Sequence, residues 1–321
     1  MTVPYSLRLL CLCLAAFALV HLAAGLVVAA ISPAAIRLAA RMRASRAAAF
    51  LFALRLLPAA GALAVVGGLC APSYLWLEPR ATAEEVGVGF LGMAVVGAAI
   101  CGAAAARALS GICSLVRLQR HWKRIAQPES VAGRTALVMD EQTPLLALAG
   151  IFRPRLVASR AVLNTLGGEE LQTAIDHEQA HVASRDNLKR LAFLLAPDLL
   201  PFWPALRTLE GAWRRFTEWA ADDRAVRGDA ERSLALAAAL VRVARLRGAP
   251  AASPLITSLL ADSSDLADRV NRLLKPASAA PAGRAWALPL LTLATIGVTA
   301  FATRQPEALY WAHRMLERLV H

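Results

Sequence analysis

Apolar residues fall into long uncharged runs near both ends of the chain and into shorter patterned segments between them. Residues 9–31 carry no charge, long enough to cross a hydrocarbon core of about 30 Å as a helix. The apolar core of a cleaved signal peptide is shorter, about 7–15 residues, so a retained helix is expected. A second run, 47–71, is interrupted by Arg55 and Pro58. Arg55 lies near one end of it and is expected to snorkel to the headgroups. The third run is 86–106, and the fourth is 284–303, bounded by Arg284 and Arg304 with Trp286 placed as an interface anchor.

The interval 107–283 reads differently. Residues 107–127 form a basic juxtamembrane helix. Short strands are predicted at 135–139, 144–150 and 154–158, separated by polar or Gly/Pro turns. From about Glu169 the period becomes helical, through Ala174, Ile175, Ala180 and Val182 and on to Leu188 and Leu191, until Pro197, Pro201 and Pro204 break it. Further helices are predicted at 207–226 and 230–247. The stretch 191–206 is apolar but carries Asp198 and three prolines. Two placements stay open for it, core or a dip into the membrane face. An Ala/Pro-rich stretch, 276–283, precedes the fourth run. The predicted fold is a membrane α-helical protein with four transmembrane helices (about 9–31, 47–71, 86–106 and 284–303). An α+β domain at 107–283 is inserted between the third and fourth, and a short tail, 304–321, follows.

Composition supports this. The chain has 321 residues, 57% hydrophobic and 18% charged, with mean hydropathy +0.49, where a soluble domain carries about 25% charged residues. The net charge is +12. No nucleic-acid reading motif accompanies it, so anchoring beside anionic lipid is expected. The charges also orient the chain. Arg37, Arg41, Arg43 and Arg46 lie between the first two runs, and Arg107, Arg117, Arg120, Lys123 and Arg124 follow the third, both without acids. These loops belong in the cytoplasm, and 107–283 with them. Cys11, Cys13, Cys70, Cys101 and Cys113 lie in or beside apolar runs without C-x-x-C spacing. They are read as small membrane-helix residues.

Chemistry concentrates in H-E-Q-A-H, 177–181. Positions i and i+4 share a helical face, so His177 and His181 can aim two imidazoles at one metal. Glu178, about 100° round the helix, can take a proton from a water on that metal. The plain alternative is a helix with two surface histidines. A catalytic zinc wants a third protein ligand and an open position. Ser184 and Asn187 stand where the metzincin pattern would need Gly and His, so that pattern is excluded. Glu218, 37 residues past His181 in TEWAADDRAV, offers the ligand from a later helix. Asp222, one turn on, can support a histidine from behind and fix its tautomer. The metal candidates are therefore His177, His181 and Glu218 for Zn2+, and the catalytic candidates are Glu178 and Asp222. Asp223 reads as a solvated acid, and Arg224 and Arg227 as surface charges.

The chain resembles the integral-membrane gluzincin peptidases of the BlaR/MecR type. The residues that carry this are Pro144, Gly150 and Pro154, H-E-Q-A-H followed by R-D-N at 185–187, E-W-A-A-D at 218–222 and R-V-N-R-L-L at 269–274. The HtpX and CAAX prenyl protease group shares part of the pattern. The resemblance implies zinc at His177, His181 and Glu218, Glu178 as general base, a cytosolic-side active site and peptide-bond hydrolysis. It also implies substrate pairing along a sheet edge at 144–150. Arg185, Asp186 and Asn187 match without an assigned step, and a structural role is expected of them. The beta-lactam receptors carry an external sensor after the fourth span. Here 18 residues follow, without S-x-x-K, so sensing of beta-lactams in cis is not expected.

The function expected is a zinc endopeptidase of the bacterial cytoplasmic membrane that cuts a regulatory protein. A quality-control or prenyl-protein protease is the enzymatic alternative, and a non-catalytic signalling scaffold the other. Expected partners are a protein or peptide substrate, such as a cytosolic repressor, and the lipid bilayer. Direct nucleic-acid binding is not expected, and a homodimer is compatible with the chain.

Overall fold

The computed structural model describes residues 4–79, 87–140, 144–200, 202, 204–246, 257–258, 265–275, 305, 307, 309–311 and 314. The fourth apolar run and most of the tail lie outside the described residues. Among the described residues, three helical segments are long and apolar enough to cross a membrane. The first is α1 (Tyr5–Ala39). The second is continuous through α2 (Ala44–Val65), a π-helical turn (Val66–Cys70) and α3 (Ala71–Leu77), and it accommodates Pro58 without a break. The third is α4 (Val88–Ile125), in which the third apolar run and the basic segment after it form one helix. Its 38 residues extend about 57 Å at about 1.5 Å per residue, well beyond a bilayer core.

The end of α4 is used in the next domain. A five-stranded mixed sheet has the order β1-β2-β4-β3-β5, from β1 (Gln127–Val131), β2 (Arg134–Met139), β3 (Leu146–Ala149), β4 (Arg155–Ser159) and β5 (Thr257–Ser258). The β1–β2 hairpin turns through Ala132 (φ 49) and Gly133 (φ 74), the double positive φ of a type I′ turn. Successive side chains on a strand face opposite ways. Leu146 and Leu148 of β3 accordingly join a core with Ile175, Leu236 and Leu240, while Ala147 and Ala149 pack with Leu115 and Trp122 of α4.

After the short α5 (Arg160–Thr165) come α6 (Gly168–Ser184), α7 (Asp186–Leu195), α8 (Arg207–Val226), α9 (Ala230–Arg245) and α10 (Leu266–Leu274). Glu170 accepts a hydrogen bond from Gly167 N at 3.0 Å to start α6, and Asp229 caps α9 through Glu231 N at 2.8 Å and Arg232 N at 3.2 Å. The helical period that runs from Glu169 past Leu188 is divided at Arg185, whose backbone is left-handed (φ 54).

The sheet corrects one expectation. β3 does not offer a free edge along its length. β5 pairs with it antiparallel, Ala147 opposite Ser258 and Leu148 opposite Thr257. At these two positions the chain itself fills the place expected for a substrate strand.

The stretch after α7 is seated among the apolar helices. Asp198 accepts from Arg107 Nη1 at 2.8 Å and from Arg55 Nη2 at 3.2 Å. Arg55 also donates to the carbonyls of Pro197 and Ala196, each at 3.3 Å, and to Glu210 Oε1 at 3.0 Å. His21 Nε2 lies 3.1 Å from the carbonyl of Asp198, and a Cβ on Gly25 of α1 would stand 1.9 Å from Leu199 Cδ2. Arg55 is 1% exposed, so it turns inward to these acids and carbonyls and does not snorkel. Irregular backbone among apolar helices needs such partners, because lipid supplies none. On the same side, Trp213 and Phe216 of α8 pack with Val28 of α1 and Leu51 of α2.

Removing Asp198 takes away the carboxylate that two guanidinium groups share, leaving Arg55 with Glu210 and two carbonyls and Arg107 with the carbonyl of Ala196. Asp198→Ala is expected to destabilise the protein by about 1.5–3 kcal/mol, read as a lower thermal midpoint in detergent. An unchanged midpoint would contradict the role given to this network.

Candidate metal centre

His177 and His181, four residues apart on α6, are 0% and 2% exposed. Their Nε2 atoms lie 3.3 Å apart. Glu218 of α8 faces both, with Oε2 3.4 Å from His177 Nε2 and Oε1 3.7 Å from His181 Nε2. A tetrahedral zinc site with arms of about 2.1 Å has edges of about 3.4 Å, and one donor atom from each of the three residues lies within 4.8 Å of the others, close enough to converge on one metal ion. These are the residues that could hold it.

Each histidine is backed by an aspartate. Asp222, one turn past Glu218, places Oδ1 2.9 Å from His177 Nδ1, a close contact whose angle falls short of a hydrogen bond. Asp186 places Oδ2 2.8 Å from His181 Nδ1, with Lys189 Nζ 2.9 Å from its other oxygen. Both imidazoles therefore turn Nε2 inward. The left-handed Arg185 produces the second contact, since it ends α6 and returns the next residue beneath His181. Asn187, two residues on, donates to the carbonyl of Gly150 at 2.7 Å and ties this elbow to the end of β3. Gly150 is suited to that end: φ is +131°, and a Cβ would meet Arg153 O at 3.0 Å.

The charges are strongly coupled. Burial lowers the His177 pKa, but Asp222 and Glu218 outweigh it and lift the value to about 9. Burial raises Glu218, yet the charges of His181 and Arg269 hold it well below the usual carboxylate range. Asp222 is held down to about 2 against its own burial, chiefly by Arg269. Glu178 goes the other way. It is fully buried, neither carboxylate oxygen has a hydrogen-bond partner among the described residues, and burial pushes its pKa up to about 8. A buried carboxylate beside the converging donors, with both oxygens still to be satisfied, fits a site that takes a metal and a polar reactant.

All five sequence candidates are brought together: His177, His181 and Glu218 as the converging donors, Glu178 beside them, and Asp222 behind His177. Asp223 is half exposed and paired with Arg272 at 2.6 Å. Arg224 donates to Ala180 O at 3.0 Å and Ser184 Oγ at 2.8 Å, binding α8 to α6, and Arg227 is 71% exposed. Two participants stand in the matched motifs but had no contact assigned from the sequence. Asp186 reaches His181 only because the helix stops between them, and a non-glycine in left-handed backbone leaves no signal. Arg269 of α10 contacts Asp222 at 2.7 and 3.0 Å and Glu218 at 3.1 Å. Its signal was present, since it shares an apolar helix face with Leu266, Val270 and Leu273.

A family model described as BlaR1 peptidase M56 matches residues 90–273, 184 of the 321 residues. The matched interval contains every residue of the centre. No curated protein and no solved structure matches the chain.

Partners of metal-binding histidines set ligand orientation and basicity, and losing one typically costs about 10–100-fold in affinity. Asp186→Ala is expected to lower zinc affinity by about that factor in competition with a chelating dye. Unchanged affinity would leave Asp186 without this role.

Proposed function

The chain belongs to the BlaR1 peptidase M56 family, and on that premise we propose that it is a membrane-embedded zinc endopeptidase. In this reading it cuts a regulatory protein at the cytoplasmic face of a bacterial membrane. The family makes it a membrane-associated metallopeptidase. The observation that carries the finer reading is the convergence of His177, His181 and Glu218, with the unsatisfied Glu178 next in sequence to the first ligand.

Zinc held by those three side chains would polarise a scissile carbonyl and acidify a bound water. The rest is done by the chain. Glu178 accepts the water's proton and returns it to the leaving amine, a role open to a carboxylate whose two oxygens have no hydrogen-bond partner among the described residues. Asp222 and Asp186 hold the two imidazoles so that the same ring nitrogen of each faces inward. The cytoplasmic placement is supported by the arginine-rich, acid-free segments 37–46 and 107–124, which favour the inner side. A repressor is the substrate favoured here, as a cytosolic protein whose removal by one cut would convey a signal.

Glu178→Gln tests the chemistry. It is expected to keep stoichiometric zinc and to lose about 10²–10⁴-fold in peptide hydrolysis. Cleavage at the wild-type rate would exclude the mechanism. The same variant should trap one DNA-binding regulator from cells, and a spread of misfolded membrane proteins would instead support quality control.

A further inference from the structure

Arg269 is 3% exposed on a nine-residue helix. Arginine is almost never so buried unless it is fully paired. Attachment of α10 does not explain the burial, because other residues secure that helix. Arg272 pairs with Asp223 at 2.6 Å and lies over the Trp219 ring at 5.4 Å. Leu273 is in the core, and its carbonyl accepts from Ser233 Oγ at 2.8 Å.

What Arg269 does touch is the metal centre itself, with Nη2 3.4 Å from His177 Nε2. Nη2 and Nε take both oxygens of Asp222, at 2.7 and 3.0 Å, while Nη1 reaches Glu218 Oε2 at 3.1 Å. Glu218 and Asp222 stand one turn apart on α8, and like charges so placed repel. The planar guanidinium spans both with donors in fixed directions, which a lysine ammonium cannot do. With both oxygens fixed, Asp222 keeps Oδ1 at His177 Nδ1, 2.9 Å away.

We propose that Arg269 is the positioning residue of the metal centre: its fork locks Asp222 behind His177 and steadies Glu218 in front, so that α10 is a third structural wall of the site beside α6 and α8. The inference rests on the metal reading above. It does not depend on which peptide is cut, or on whether one is.

The test uses the full-length protein in detergent, with cobalt(II) as the probe, because its visible absorption reports coordination geometry. Arg269→Lys keeps the charge and loses the fork, and Arg269→Gln loses both. Each is expected to bind cobalt about 10–100-fold more weakly than wild type, with altered visible bands that Asp222→Asn reproduces. The double variant Arg269→Gln/Asp222→Asn should be no weaker than the weaker single variant, since residues acting through one contact are not additive. Arg272→Gln, which removes only the surface tie of α10, should bind cobalt as wild type does. Should Arg269→Gln fail to fold, Arg269→Lys carries the comparison.

Wild-type cobalt affinity and spectrum in Arg269→Lys would overturn the inference. So would an equal loss in Arg272→Gln, which would reduce the effect to docking of α10. Lower turnover with unchanged cobalt binding would overturn it as well, by making the guanidinium a group that acts on substrate. A wild type that takes up no cobalt would overturn the metal reading and this inference together, and so is distinguishable from failure of the inference alone.

Discussion

Helix α8 carries a partly buried carboxylate near its start and two buried ones near its end, and each meets a cation. Near its start, Glu210 meets Arg55 at 3.0 Å among the apolar helices. Near its end, Glu218 and Asp222 meet Arg269 and the α6 histidines. Between these ends, Trp213 and Phe216 pack on α1 and α2. Unpaired buried charge is too costly for either end to be released alone. The helix that brings Glu218 to the histidines is therefore fastened to the helices that could cross the membrane. A second fastening is the 196–199 stretch, held by Arg55, Arg107 and His21. It joins α7, which begins with Asp186, to α8. Movement in the apolar bundle thus has two short routes to the side chains around the metal centre.

Much of this could be read from the chain because the relevant signals are local. His177, Glu178 and His181 lie within five residues of one helix, and Glu218 and Asp222 share one face of another. Both periods are strong, and α8 falls at 207–226 as its pattern predicts. Three of the strands are apolar runs bounded by turns. The parts that escaped depend on geometry without a local marker. β1 carries Pro128 and Glu129 and shows no alternation, as an edge strand is free to do. The break at Arg185 has no glycine. Arg55 looked like a charge close to a headgroup because its partners, Asp198 and Glu210, lie more than 140 residues away in sequence. The stretch 191–206 fitted core and membrane equally well, since an apolar run with one acid suits either, and its contacts with Arg55, Arg107 and His21 lie too far off in sequence to be read there.

The sheet shows the limit of arguing from resemblance. A strand at 144–150 is present as β3, buried at all four positions, but Thr257 and Ser258 already pair with Leu148 and Ala147. A peptide strand could extend the sheet at those positions only by displacing that pair or by adding beyond it. β-augmentation needs unpaired backbone groups, so the state of this edge bears directly on how a substrate is admitted.

The central claim is that His177, His181 and Glu218 hold one zinc ion with a position left for reactant. X-ray absorption at the zinc edge on purified full-length protein tests it most directly. The predicted result is one zinc per chain, four-coordinate, with two imidazoles and the remaining ligands oxygen, all at about 2.0–2.2 Å, and no sulfur. A sulfur ligand at about 2.3 Å, fewer than two imidazoles, or protein that takes up no zinc would contradict it.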